Sequence, residues 1–144
     1  INDAKTSFRR RLAQSAKRFS EKRDGVVRDN RTGLMWQLLD TTLAAPGACM
    51  DYDRAQQYVA DLSTGGYTDW RLPTPAELAG IYKNPPFFPA LEEKWYWTAD
   101  SYSSYSDGWH KIVDTVSTRH DTNWQISRKD SRECGAVRAV RGGK

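Results

Sequence analysis

Histidine and cysteine are scarce in this 144-residue sequence, two of each. That scarcity removes most metal and nucleophile chemistry from consideration. Cys49 and Cys134 allow one disulfide and make no metal site by themselves. No His-Glu-x-x-His helix, Gly-x-Ser-x-Gly elbow or phosphate-cradling glycine loop occurs. Long apolar runs are missing too. The mean hydropathy is −0.78, and no stretch approaches the ~18 apolar residues that a membrane-spanning helix needs. The chain opens on Ile1 rather than Met, with no apolar leader, which reads as a mature or excised product. No internal repeat is visible.

Aromatic residues, by contrast, are plentiful: six Trp and seven Tyr, many in short β-like segments, as strand propensity favours. The net charge of +4 divides unevenly. Residues 1–23 carry eight basic groups against Asp3 and Glu21, and the remainder carries fourteen basic and sixteen acidic groups. The high pI therefore belongs to the N-terminal segment, which argues against specific nucleic-acid binding by the rest.

Residues 5–22 place Phe8, Leu12, Ala16 and Phe19 on one stripe of a predicted helix, with Arg9, Arg10, Arg11, Lys17 and Arg18 around it. Such a helix either contacts a membrane surface or a polyanion, or is a linker that docks on its neighbour. Asp24-Gly25 marks the expected boundary, giving an appended helix or linker over 1–23 and one domain over 24–144. Val26–Asp29 and Leu34–Gln37 read as strands around a turn, and 40–48 as a loop. Tyr52, Ala55, Val59 and Leu62 define an amphipathic helix that Asp51 can cap and Gly65-Gly66 ends. Beyond residue 83 the helical period disappears. Lys94–Thr98, Trp109–Asp114, Trp124–Ser127 and Ala136–Arg141 are β-like. A hairpin, two helices and then strands predict an α+β fold, two helices packed on a mainly antiparallel sheet.

The most structured stretch runs from Gly66 to Leu78. Thr74 is an N-cap, Pro75 fits the first helical position, Glu77 can close a capping box, and Pro73 and Leu78 are placed for a hydrophobic staple. Asp69-Trp70-Arg71 before it reads as an acid–base pair around a buried Trp, a scaffold rather than a reaction centre. Trp36, Val59, Leu62, Trp70, Leu72, Leu78, Trp97, Val137 and Val140 are the expected core.

Four stretches, Thr32-Gly33-Leu34-Met35-Trp36-Gln37, Gly66 through Leu78, Tyr96-Trp97-Thr98 and Val137-Arg138-Ala139-Val140-Arg141, occur in an order that resembles the bacterial Lcl C-terminal domain family, typified by a collagen-like adhesin. The resemblance covers roughly residues 25–142. It implies a C-type lectin-like fold akin to the sulfatase-modifying superfamily, in which first and last strands pair and Leu34–Gln37 lies beside Val137–Arg141. The family often has cysteines where this sequence has Val59 and Ala139, which implies that these two positions are neighbours in the core. Cys49 and Cys134 are then either a relocated bridge or two unrelated thiols. A bridge would close a loop of about 85 residues and contribute roughly 4–5 kcal/mol in the chain-entropy model.

The resemblance implies a non-catalytic recognition module of a bacterial surface or envelope protein, extracellular, on the cell surface or in the periplasm. Its ligand would be a glycan, a sulfated polysaccharide or a protein, with no cofactor. Two alternatives differ in class: a redox enzyme using Cys49 and Cys134, or a protein-assembly module. Asp100, Asp107, Asp114, Asp121, Asn123 and Asp130 crowd the C-terminal loops, yet their spacing is no EF-hand and reads as solvated carboxylates. His110 alternates with Ile112 and is expected on an exposed strand face, and His120 in a polar loop. The segment 101–109 has the Tyr/Ser composition of binding loops. Together with the basic groups that follow, it nominates Tyr102, Tyr105, Trp109, Arg119, Trp124, Arg128, Lys129 and Arg132 as ligand contacts, with cations meeting sulfates or carboxylates through charge-assisted hydrogen bonds.

Overall fold

A computed structural model describes residues 2–14, 18–82, 88, 95–101, 109–114 and 125–142. Among these, helix α1 (Asn2–Gln14) leads into strands β1 (Phe19–Arg23), β2 (Val26–Asp29) and β3 (Met35–Gln37). Helices α2 (Thr41–Ala44), α3 (Tyr52–Asp61) and α4 (Pro75–Tyr82) follow, then β4 (Trp95–Ser101), β5 (Trp109–Asp114), β6 (Gln125–Asp130) and β7 (Val140–Arg141). The strands form two antiparallel sheets, ordered β1-β2-β3-β7 and β4-β5-β6. The fold is α+β. The first hairpin of the domain meets the last strand as expected, with Met35 opposite Arg141 and Trp36 opposite Val140.

Strand alternation explains how two small sheets bury so much aromatic surface. Adjacent residues point to opposite faces, and here both faces are covered. Val27, Tyr96 and Val113 enter one apolar cluster with Trp36, Leu78 and Val140. Their neighbours Val26, Trp97 and Ile112 enter a second with Val59, Trp70, Leu72 and Val137. Val59 and Ala139 are both buried in that second cluster. Leu62 is only half-buried, because it sits past the end of α3 in extended conformation.

The predicted 5–22 helix is corrected. It ends at Gln14, and Phe19–Arg23 is a strand instead. Phe19 fits a helical stripe, but β1 gains a full hydrogen-bonded neighbour in β2 across the Asp24-Gly25 turn, where Gly25 takes φ 84°. The expected boundary is thus a hairpin turn. Phe8, Leu12 and Phe19 all pack in the first cluster. Residues 40–48 are not wholly loop: Asp40 caps the short α2, accepting from the Leu43 N–H at 3.3 Å. The last strand is shorter than Ala136–Arg141, because the Val137 and Ala139 amides donate to the Thr41 hydroxyl and Gln37 side chain rather than to a full ladder.

The Gly66–Leu78 expectations hold, save for one pairing. The Glu77 amide donates to Thr74 Oγ1 at 3.2 Å, and the Thr74 amide to Glu77 Oε1 at 2.9 Å, closing the capping box. Pro73 and Leu78 are both buried. Asp69 and Arg71, however, do not pair with each other: Arg71 binds Glu77 at 2.9 Å, and Asp69 binds Arg141 at 2.6 Å. Gly65, at φ 68°, ends the run after α3, and a Cβ there would lie 2.5 Å from Val26.

Candidate functional site

The β5–β6 hairpin carries the described part of the nominated surface. Its register sets Trp109 opposite Asp130, His110 opposite Lys129, and Lys111 opposite Arg128. Alternation sends Trp109, Lys111, Arg128 and Asp130 to one face, the side from which Val113 enters the first cluster. There the Arg128 guanidinium lies 5.2 Å from the centre of the Trp109 ring. Lys111 and Arg128 face one another directly across the ladder, which sets two cationic side chains next to each other on this face. Arg128 is exposed, while Trp109 and Lys111 are half-buried.

Lys129 lies on the other face and is separated from this cluster. Its ammonium sits 5.4 Å from the Trp95 ring centre and 3.9 Å from Glu133. Arg132 is engaged locally, donating from Nε and Nη2 to Asp130 at 2.9 and 3.1 Å. These bonds hold the Asp130 carboxyl down at about 2. Of the eight nominated contacts, the structure therefore brings Trp109 and Arg128 together, sends Lys129 to the other face and ties Arg132 to Asp130. Tyr102, Tyr105, Arg119 and Trp124 lie outside the described residues, as does His120.

His110 is half-buried rather than exposed. It stacks on Tyr52 with ring centres 3.5 Å apart, and edge-on to Trp97. Burial pushes its pKa below the ordinary imidazole value. The same face continues through Trp95, whose ring covers Gly135 so closely that any Cβ there would collide with it. Next to Gly135, Cys49 and Cys134 are bridged. The disulfide ties the entry to α3 to the segment after β6, beside the Gly135 amide donating to the Met50 carbonyl at 2.9 Å. Among the described residues no group of three or more His, Cys, Asp or Glu side chains is arranged to hold a metal ion. Asp107, Asp121 and Asn123 lie outside them.

The N-terminal helix offers less free charge than its composition suggests. Arg9 donates to Glu21 at 2.6 Å and to Asp24 at 3.1 Å, and Lys5 reaches Asp24 at 3.4 Å. Among the described residues no helix is long and apolar enough to cross a membrane.

Sequence reasoning missed three groups of residues. Lys111 was invisible as part of a site until the register set it against Arg128. Tyr52 and Trp95 are brought to His110 and Lys129 by α3 and β4. Arg23 and Arg141 meet at the Tyr67 ring, and Arg28 lies in the same row of the first sheet as Arg141, with Met35 between them. A groove of about 640 Å³ also runs between α3 and the start of α4, lined by Tyr52, Gln56, Trp70, Arg71, Thr74 and Glu77. Its charged pair is saturated internally: Arg71 donates to Glu77, to the Leu72 carbonyl and to the Gly142 carbonyl.

Comparison with curated proteins gives no match. The family model of the Lcl C-terminal domain matches residues 25–141, from the turn before β2 to the end of β7. The matched span holds α2 to α4 and β2 to β7, including both strands of the β5–β6 hairpin, and the chain belongs to the Lcl C-terminal domain family.

Proposed function

We propose that this chain is a non-catalytic recognition module of a bacterial surface or envelope protein, built on a C-type lectin-like variant of the α+β fold, and that its ligand is a sulfated polysaccharide. One observation carries the reading: Lys111 stands directly opposite Arg128, with the Arg128 guanidinium over Trp109. A sulfate or carboxylate seated between the two cations accepts a charge-assisted hydrogen bond from each. Family membership supports a surface-associated, adhesin-like role. The Cys49–Cys134 bridge supports an oxidising location outside the cytoplasm.

The test uses the whole chain on an array of neutral and sulfated glycans at low and high salt. Binding to sulfated members that weakens with salt, as exposed charge pairs do, is the expected result. It should fall on Lys111→Ala/Arg128→Ala and be little changed by Lys129→Ala/Arg132→Ala. Binding indifferent to Lys111 and Arg128, with the variant folded, rejects this surface. Absence of any glycan binding points to a protein ligand instead.

A further inference from the structure

We infer that the four-stranded sheet carries a second, separate binding face for the sulfate groups of a polysaccharide, formed by Arg28, Arg141 and Arg23, the last two meeting at the Tyr67 ring. The inference rests on the reading above for its ligand class and on different residues for its site. Arg28, Met35 and Arg141 are in register across β2, β3 and β7, so they form one row on one face of the sheet. It is the Val26 face, which packs the second cluster, whereas Lys111 and Arg128 lie on the side of the first. The Tyr67 ring sits over the end of that row. The guanidinium of Arg141 lies 3.8 Å from its centre and that of Arg23 4.8 Å.

The row has more positive than negative charge. Asp69 accepts from Arg141 Nε and Nη2 at 2.6 and 3.0 Å. Arg23 donates to the Gly65 carbonyl at 2.9 Å and Arg28 to the Asn30 side chain at 2.7 Å. Both acceptors are neutral, and neither arginine has a carboxylate partner among the described residues. The bonds of Arg23 and Arg28 each fix one nitrogen and leave further donors for a ligand, whereas Arg141 already has Nε and Nη2 on Asp69 and Nη1 on the Met35 sulfur at 3.1 Å. The arginines are therefore oriented before any ligand arrives, which lowers the ordering cost of binding. Guanidinium groups in this arrangement suit planar, multidentate recognition of oxyanions better than lysines would. With one anion-binding face on each sheet, a single domain holds two stretches of polyanion and can cross-link chains.

Calorimetric titration of the whole chain with a size-defined heparin hexasaccharide at low salt tests this. The expected stoichiometry is about two per chain. It should drop to about one in Arg23→Ala/Arg28→Ala and separately to about one in Lys111→Ala/Arg128→Ala. Losing two charge-assisted contacts should weaken the altered face about tenfold or more. Arg23→Lys/Arg28→Lys should keep the second site measurable, because it keeps the charge. Should Arg23→Ala loosen the Gly65 turn and lower the melting temperature, Arg28→Glu alone gives the same readout. A single wild-type site abolished by Lys111→Ala/Arg128→Ala overturns this inference and leaves the proposed function standing. A single site abolished by the Arg23/Arg28 variant supports this face and removes the first. No binding at all rejects both.

Discussion

Arg138 is fully buried, and replacing it with Met should be among the most damaging substitutions in the chain. Its Nη1 donates to the Gln37 and Leu38 carbonyls, both at 2.8 Å, and its Nη2 lies 3.5 Å from Asp40. Asp40, equally buried, also accepts from the Tyr96 hydroxyl and, at 2.6 Å, from Thr42. Methionine fills much of the volume and restores none of the donors. Two buried carbonyls lose their partner, and a buried carboxylate loses its counter-charge. Removing one member of a buried pair costs about 3–5 kcal/mol, chiefly through the charge left behind. For a chain of this size that is a fall in melting temperature of about 10–20 °C. Urea denaturation and calorimetry would measure it. The double variant Arg138→Met/Asp40→Asn should cost less than the two single changes added together, because it leaves no isolated charge. A cost below about 1 kcal/mol for Arg138→Met, or additivity within about 0.5 kcal/mol, would refute the reasoning.

Other predictions follow from the same geometry. Thr74→Ala removes one half of the capping box and should lower stability by about 1 kcal/mol without altering glycan binding; urea denaturation measures the first and the array the second. His110 has a depressed pKa in the folded chain. Its contribution is therefore complete above its ordinary value of about 6.5 and is lost as pH falls through the lower folded value. Melting temperature should thus decline below about pH 6.5, and less steeply in His110→Phe, which keeps the stack on Tyr52. Equal slopes would show that His110 is not the group responsible. Asp69 and Asp130 are also depressed, by hydrogen bonds from Arg141 and Arg132 respectively. They contribute above the ordinary carboxylate range and lose that contribution only in stronger acid.

What the sequence determined by itself was local. The capping box, the α3 stripe from Tyr52 to Val59, the first hairpin and the β5 strand each depend on residues a few positions apart, and all stand where the pattern put them. Family motifs added the one long-range pairing, β3 with β7. Tertiary structure decided the rest, because those choices turn on partners far along the chain. Phe19 satisfies a helix as well as a strand, and only the presence of β2 selects the strand. Asp69 sits two residues from Arg71, yet each finds a better-placed partner, Arg141 from seventy-two positions away and Glu77 from six. The candidate site shows the same division. Composition drew attention to Trp109, Arg128, Lys129 and Arg132 as one basic, aromatic segment. Strand alternation and register then split them, setting Lys129 behind the sheet, tying Arg132 to Asp130, and placing Lys111 against Arg128. A run of charges has no faces until a sheet gives it two.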